Sequence, residues 1–135
     1  MRTVFADTGY WIALLHPRDP QHGKAKSVSS TLGQTRIVSS EMVLDELLAG
    51  LSKLPVRAIA VSAVSSIRSN PNVEVVPQTS LQFREAFDLY KNRADKEWSL
   101  TDCASFNLMK ERGITEALAL DVHFEQAGFV ALLRS

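Results

Sequence analysis

Two hydrophobic patterns alternate along the chain. Five short apolar runs, none with strict alternation of apolar and polar residues, predict buried β-strands. They cover residues 3–6, 36–39, 72–77, 117–121 and 129–133. Longer stretches with helical periodicity, bounded by proline, glycine or hydroxyl residues, predict helices. These cover residues 8–15, 21–33, 40–51, 55–69, 80–95 and 101–112, and a short segment, 122–128, precedes the last strand.

Strands that alternate with helices predict a parallel sheet, because each parallel connection needs a crossover segment such as a helix. Strands that are apolar throughout predict helices on both faces of the sheet, which gives a three-layer α/β fold. A length of 135 residues fits a single domain spanning residues 1–135. In such sheets ligands bind beyond the carboxyl ends of the strands, near the point where strand order reverses. Acids that follow strands are therefore the first candidates for chemistry.

Composition narrows the classes of protein that fit. No apolar run approaches the roughly 20 residues needed to span a bilayer, and the stretch MRTVFADTGY has no cleavage signal typical of secretion. The single cysteine, Cys103, excludes an internal disulfide framework and favours a cytoplasmic location. Fifteen basic and fifteen acidic residues balance, which argues against a protein that coats nucleic acid. An enzyme that gathers its acids in one pocket and acts on nucleic acid fits that balance.

Two aspartates stand where a ligand is expected. Asp7 follows the first predicted strand, and Asp102 lies near the start of the helix in SLTDCASFNLMKERG. At 100° per residue, Asp102 falls between Phe106 and Met109, on the apolar side of that helix. Each acid has an ordinary alternative, since Asp7 is a good N-cap and Ser99 with Asp102 has the spacing of a capping box. Capping does not explain a carboxylate aimed along an apolar stripe, where an unpaired charge is costly.

Further acids are placed to join them. Asp121 ends the fourth predicted strand, although an aspartate in a turn is equally ordinary. In the helix over 40–51, Asp45 and Glu46 border the apolar stripe on opposite sides, and the helical wheel does not choose between them. Acids gathered at one sheet edge repel one another, so a divalent cation is the simplest remedy. Oxygen ligands select Mg²⁺ or Mn²⁺, and the three histidines are too scattered to form a zinc site.

Four segments of the chain resemble the PIN-domain ribonucleases, most closely the VapC-type toxins of bacterial toxin–antitoxin pairs. They are FADTGYWIALL, SSEMVLDELL, WSLTDCASFNLMKERG and ALDVHFEQAGF, and the resemblance spans nearly the whole chain. By this resemblance the catalytic, metal-binding acids are Asp7, Glu46, Asp102 and Asp121, which selects Glu46 over Asp45. The hydroxyl residues expected to orient carboxylates or water are Thr8, Ser99 and Thr101, with helix capping as their alternative role. A hydroxyl often precedes the fourth acid in the family, but Ala119 and Leu120 stand there in this chain.

The resemblance implies a sheet of about five strands and a Mg²⁺- or Mn²⁺-dependent endoribonuclease, the toxin of a type II toxin–antitoxin pair. It also implies a small VapB-like antitoxin as partner and a homodimer. For the chemistry, we predict that Asp7, Glu46 and Asp102 hold the main ion. Asp121 is expected to hold a second ion or to position the attacking water.

Contacts to RNA are predicted in or just after the helix over 80–95. With the four acids set aside, the 15 basic residues outnumber the 11 remaining acids. The candidates for phosphate contacts are Arg84, Lys91, Arg93 and Lys96, with a solvated helix face as the alternative for each. The same helix carries apolar side chains at Leu81, Phe83, Ala86, Phe87 and Tyr90.

Two other functions compete with a nuclease. One is a catalytically silent PIN-fold module that acts by binding protein or RNA, and the presence of all four acids argues against it. The other is a receiver domain for phosphoryl transfer, which needs a lysine after a late strand. After ALALD this chain has Val122, His123 and Phe124 instead. His123 could face the site, and a structural or surface role is the alternative that we favour.

Overall fold

The computed structural model describes residues 1–134 and contains one sheet of five parallel strands. The strands are β1 Thr3–Ala6, β2 Arg36–Ser40, β3 Val73–Val76, β4 Glu116–Leu118 and β5 Val130–Ala131. Their order across the sheet is β3-β2-β1-β4-β5. Within the described residues the predicted number of strands and their parallel direction are both confirmed.

Seven α-helices flank the sheet in the described part of the chain. They are α1 Thr8–Leu15, α2 His22–Ser30, α3 Glu41–Gly50, α4 Leu54–Ser69, α5 Ser80–Asn92, α6 Leu100–Arg112 and α7 Val122–Gln126, followed by a 3₁₀ turn at Leu132–Arg134. Helix α3 contacts both α1 and α6, and α5 packs along α6. The predicted three-layer α/β fold is therefore confirmed. None of these helices is long and apolar enough to cross a membrane.

Strand order reverses at β1, which lies at the centre of the sheet. Phe5 pairs with Val38 of β2 on one side and with Ala117 of β4 on the other. The chain therefore builds β2 and β3 on one side of β1 and then returns to place β4 on the other. Such a reversal opens a crevice beyond the carboxyl ends of β1 and β4. The backbone N–H of Asp7 donates to the carbonyl of Leu118 across this point, at 3.1 Å.

An aromatic cluster fixes α6 and α7 against the sheet. Phe106 of α6 packs edge-on against Trp98 and Phe124, with ring centroids 4.9 and 5.0 Å apart, and tilts against Phe129 at 5.7 Å. Phe124 of α7 stacks in turn on Phe5 of β1. Phe5, Phe106 and Phe124 are essentially unexposed. The cluster sets the position of the N-terminal ends of α6 and α7, because a close-packed core leaves little room for sliding.

Several predicted boundaries are wrong. The helix predicted over 21–33 ends at Ser30, and the strand predicted over 129–133 ends at Ala131.

Two further boundary errors involve charged residues at the ends of elements. The helix predicted over 80–95 ends at Asn92, and the Arg93 guanidinium instead pairs with the Asp95 carboxylate, at 3.0 Å. Residues two apart lie on different faces of a helix, so this pair requires a turn. The strand predicted over 117–121 ends at Leu118, and Asp121 is the N-cap of α7. An aspartate that caps a following helix has left the strand before it.

The apolar residues of α5 do not form a buried face. Ala86 is fully buried, whereas Leu81, Phe83, Phe87 and Tyr90 are between 46% and 56% exposed. Exposed apolar side chains are common individually, but these four lie on one helix. Helix α5 is therefore held to the fold by its contacts with α6 and by its N-terminal capping box of Thr79 and Gln82.

We expect Phe106→Ala to lower the free energy of unfolding by about 3–5 kcal/mol, because it empties the centre of the aromatic cluster. The matched control is Phe83→Ala, which removes the same ring from an exposed position and is expected to cost less than about 1 kcal/mol. Chemical denaturation of the three proteins measures both values. Equal losses for the two variants would contradict the packing described for α5 and α6.

Candidate metal centre

A cleft of about 520 Å³ opens at the carboxyl ends of β1 and β4. Its lining residues are Asp7, Thr8, Gly9, Ile12, Glu46, Gly50, Glu97, Ser99, Asp102, Leu120, Asp121 and His123. The four acids predicted from the sequence all line it, together with a fifth, Glu97. Among the described residues that line the cleft there is no lysine or arginine to balance these carboxylates. The cleft is therefore strongly electronegative.

Asp7 stands at the N-cap position of α1 but does not act as a cap. Its backbone is extended, and its side chain makes no capping hydrogen bond. Its Oδ1 atom is buried and has no hydrogen-bond partner among the described residues. The pKa of this carboxyl is raised to about 7, chiefly by burial, with smaller contributions in the same direction from the charges of Asp102, Glu46 and Asp121; the backbone N–H of Thr8 acts against the rise. The capping alternative for Asp7 therefore does not account for the residue.

Asp102 belongs to the capping box of α6 and is also buried on the apolar side of that helix. The predicted capping box is present, since Asp102 N–H donates to Ser99 Oγ and Ser99 N–H donates to Asp102 Oδ2, both at 3.0 Å. The side chain is also buried, on the same side of α6 as Phe106 and Met109. The capping box holds one carboxylate oxygen in place and fixes the direction of the group. Asp102 therefore faces the crevice between β1 and β4.

Glu46 lies in the cleft and is oriented by a threonine. The Thr8 hydroxyl donates a short hydrogen bond to Glu46 Oε1. Asp45, the neighbour that the helical wheel did not exclude, is exposed and does not line the cleft. Thr8 is itself buried, directly after Asp7. The hydroxyl predicted to orient a carboxylate thus contacts Glu46 in the structure.

Asp121 and His123 form a compact pair at the start of α7. Asp121 Oδ1 accepts the His123 N–H at 3.0 Å, and His123 Nδ1 lies 3.2 Å from Asp121 Oδ2. The same Nδ1 lies 2.9 Å from Asp102 Oδ2. The structure therefore places His123 in the cleft, the position that the sequence left open beside a structural or surface role. The signal in the sequence was its position two residues after Asp121, at the start of the short helix that Asp121 caps.

Thr101 differs from Thr8 and Ser99, the other two predicted hydroxyl residues, which line the cleft. Thr101 does not line the cleft, and its hydroxyl makes no hydrogen bond to another described residue. Its backbone carbonyl accepts from the Ser105 hydroxyl at 2.8 Å. Glu97, which the sequence did not single out, does line the cleft. Glu97 lies two residues before Ser99, but an acid in a charged turn has no sequence pattern that marks it as part of a site.

The basic residues predicted to bind RNA divide into two sites. Lys91, Arg93 and Lys96 line a groove that shares Glu97 and Ser99 with the acidic cleft. Arg84 lines a different depression, near the start of α5.

Acids already pair with the cations of this groove. Lys91 lies 3.8 Å from Asp88, and both Arg93 and Lys96 approach Asp95. The Arg93 guanidinium lowers the pKa of Asp95 to about 2. The groove is therefore close to neutral, unlike the cleft beside it.

The order of these segments matches a known family. A family model of the PIN domain matches residues 4–130. The chain belongs to the PIN-domain family. This PIN domain is 32% identical, over 127 residues, to the 23S rRNA-specific endonuclease VapC20 of Mycobacterium tuberculosis, covering 94% of this chain and 95% of that protein.

Solved structures agree with the family assignment. The crystal structure of M. tuberculosis VapC20, described as a toxin that cleaves the sarcin–ricin loop, superposes with a TM-score of 0.86 and 31% identity over 94% of this chain and 96% of that one. VapBC2 of Rickettsia felis, bound to a DNA fragment from its promoter, gives 0.67 at 12% identity, covering 96% of each chain. FitAcB of Neisseria gonorrhoeae gives 0.66 at 15% identity, covering 95% of each. The last two similarities establish the fold alone.

The donors in the cleft fit a hard divalent cation. Four carboxylates from separate parts of the chain face one space, and the buried Asp7 Oδ1 has no partner of its own. Mg²⁺ and Mn²⁺ prefer such oxygen ligands. A cation between these groups would remove the repulsion that raises the pKa of Asp7.

We expect Asp7→Asn to raise the free energy of unfolding by about 1–3 kcal/mol in EDTA at pH 8, where the wild-type carboxylate is ionised. The amide keeps the shape but removes a buried charge that repels its neighbours. Thermal or urea unfolding measures the change. Excess Mn²⁺ should then stabilise the wild type more than the variant, because only the folded wild type offers the complete set of ligands.

The control is Asp45→Asn, which makes the same change on exposed α3 surface and is expected to shift stability by less than about 0.5 kcal/mol. If Asp7→Asn unfolded more easily than the wild type in EDTA, the repulsion described for the cleft would be disproved.

Proposed function

We propose that this PIN domain is a Mg²⁺- or Mn²⁺-dependent endoribonuclease and the toxin of a type II toxin–antitoxin pair. The observation that carries the proposal is the cleft itself, where five carboxylates meet with no lysine or arginine among its described lining residues. RNA is an anion, so such a cleft attracts a phosphate only when cations occupy it. Membership of the PIN-domain family and the similarity to the endonuclease VapC20 support the same conclusion.

The residues of the cleft have distinct tasks in this proposal. Asp7, Glu46 and Asp102 hold the main cation, and Asp121 holds a second cation or positions the attacking water. When bound, the metal activates water and stabilises charge on the phosphate. Thr8 and Ser99 keep Glu46 and Asp102 directed into the cleft through one oxygen of each. Held in this way, the carboxylates need no rearrangement when the substrate arrives.

The proposed substrate is a structured loop of ribosomal RNA. VapC20 is described as a 23S rRNA-specific endonuclease and as cleaving the sarcin–ricin loop. In this chain the groove beside the cleft offers exposed Phe87 and Tyr90 together with Lys91, Arg93 and Lys96. Aromatic faces of this kind stack on unpaired bases, and the cations suit phosphates. Arg84, at the other end of α5, is assigned a weaker contact.

The partner proposed for the chain is a small VapB-like antitoxin that covers the cleft, in the cytoplasm. The resemblance to VapC-type toxins and the similarity to VapC20, which is described as a toxin, support this partner. A homodimer stays a prediction from the family resemblance. An adjacent small open reading frame whose coexpression relieves growth arrest would identify the antitoxin.

Asp7→Asn and Asp102→Asn are each expected to reduce cleavage of a 23S rRNA fragment that contains the sarcin–ricin loop by at least about 100-fold. The reason is that each change removes a charged oxygen ligand while preserving shape. Gel assays with purified protein and Mg²⁺ or Mn²⁺ measure the rate. Asp45→Asn is the control, expected to cleave like the wild type because its side chain lies outside the cleft.

Mapping of RNA ends after induced expression would show which RNA is cut. Full cleavage by pure Asp7→Asn protein would defeat the metal-dependent scheme. A folded wild type that binds RNA but cleaves none under any metal condition would favour the silent binding module instead.

Thr8→Val is expected to weaken Mn²⁺ binding by about 10–100-fold, because the carboxylate of Glu46 loses the hydroxyl that orients it. Thr101→Val makes the same change where the hydroxyl has no partner in the described structure, and is expected to leave binding unchanged. Isothermal titration calorimetry compares the two. Equal effects would show that the hydroxyl groups cap helices and do not orient the cleft.

A further inference from the structure

A mixed nitrogen and oxygen cluster lies within the cleft. Asp102, Asp121 and His123 each offer one ligand atom, and the three atoms lie within 4.8 Å of one another. His123 Nδ1 is the central atom, 2.9 Å from Asp102 Oδ2 and 3.2 Å from Asp121 Oδ2. The family resemblance assigns acids to this site and no histidine.

The imidazole is held in this position by packing and by its backbone. The His123 N–H donates to Asp121 Oδ1, which fixes the start of α7 against the acid. The next residue, Phe124, is fully buried between Phe5 and Phe106. The His123 side chain keeps only 22% of its surface exposed, and it lines the cleft. The ring therefore presents Nδ1 to the acids in a rigid arrangement.

The spacing of these three atoms is that of neighbouring ligands on one ion. Nδ1 without a hydrogen is a lone-pair donor beside two anionic oxygens. In an octahedral shell, bonds of about 2.1 Å place neighbouring ligands about 3 Å apart. The two observed separations are of that size.

We propose that His123 is a metal ligand through Nδ1 and that it shares a divalent cation with Asp102 and Asp121. This inference rests on the proposed metal-dependent function and names one further ligand for it. Imidazole nitrogen is a softer donor than carboxylate oxygen and suits transition metals better than Mg²⁺. His123 therefore tunes this cleft toward Mn²⁺, whereas a cleft of carboxylates alone does not discriminate in this way.

The test is pulsed electron paramagnetic resonance of Mn²⁺ bound to the intact protein. The wild type is expected to show ¹⁴N modulation from a coordinated imidazole, and His123→Gln is expected to lose it. His123→Gln should also weaken Mn²⁺ binding by at least about 10-fold, with a much smaller effect on Mg²⁺. The control is His22→Gln, since His22 contacts the Ala13 carbonyl and lies outside the cleft. It should keep both the modulation and the affinity.

The outcomes separate this inference from the proposed function. Bound Mn²⁺ without ¹⁴N modulation in the wild type would overturn the role of His123 and leave the carboxylate site intact. The same holds if His123→Gln loses Mn²⁺ and Mg²⁺ binding equally, because the ring then only positions Asp102 and Asp121. If the wild type binds no Mn²⁺ at all, both proposals fail.

Discussion

Repulsion among the carboxylates around Asp7 is the constraint on which this structure depends. Burial alone raises the pKa of Asp7, and three neighbouring acids add to the effect. No lysine or arginine in the described lining of the cleft relieves the repulsion. A stretch of chain free to move would separate these groups, so the fold must hold them together. It does so at the point where strand order reverses, because there β1, β4 and α6 are fixed by the sheet and the aromatic cluster.

A small number of contacts hold these acids together against their mutual repulsion. Phe106 holds α6 by packing against three aromatic rings, and Ser99 fixes the direction of Asp102 by capping the same helix. Thr8 does the equivalent for Glu46 from α1. Ser99 also stabilises α6 by capping it, which is why a capping residue and a residue that orients a carboxylate look alike in the sequence. In Ser99 the two roles belong to the same side chain.

Much of the fold follows from the sequence because its cause is local. Uniformly apolar strands between amphipathic helices predicted the parallel sheet, and the bounds of β1 and α1 agree with prediction. The errors arose where contacts that the local sequence pattern does not show determine the structure. The end of α5 depends on the turn that pairs Arg93 with Asp95, and the exposure of Phe83 depends on which face α6 covers.

The site was predicted to a similar extent. Its four principal acids were identified from strand ends, helix direction and family motif, and all four line the cleft. Glu97 was not singled out, and the place of His123 was left open, because its position two residues after Asp121 does not show that it lies beside Asp102. Periodicity reports which face of one element is buried, whereas a cleft is formed by several elements. Only the packing of α6 against α7 brings the histidine to the acids.

The groove and the cleft differ in charge, and on the proposed function they have different tasks toward RNA. In the groove formed by the end of α5 and the following turn, Lys91 pairs with Asp88, and Arg93 with Asp95. On the proposed function, a phosphate would have to compete with these acids, so the groove would contribute modest affinity and stacking instead of strong charge attraction. In the cleft the sign is reversed, and there the attraction for phosphate would come from a cation held by the carboxylates. Without a cation, the carboxylates of the cleft repel RNA. On the proposed function, the same acids therefore determine both whether RNA enters the cleft and where it is cut.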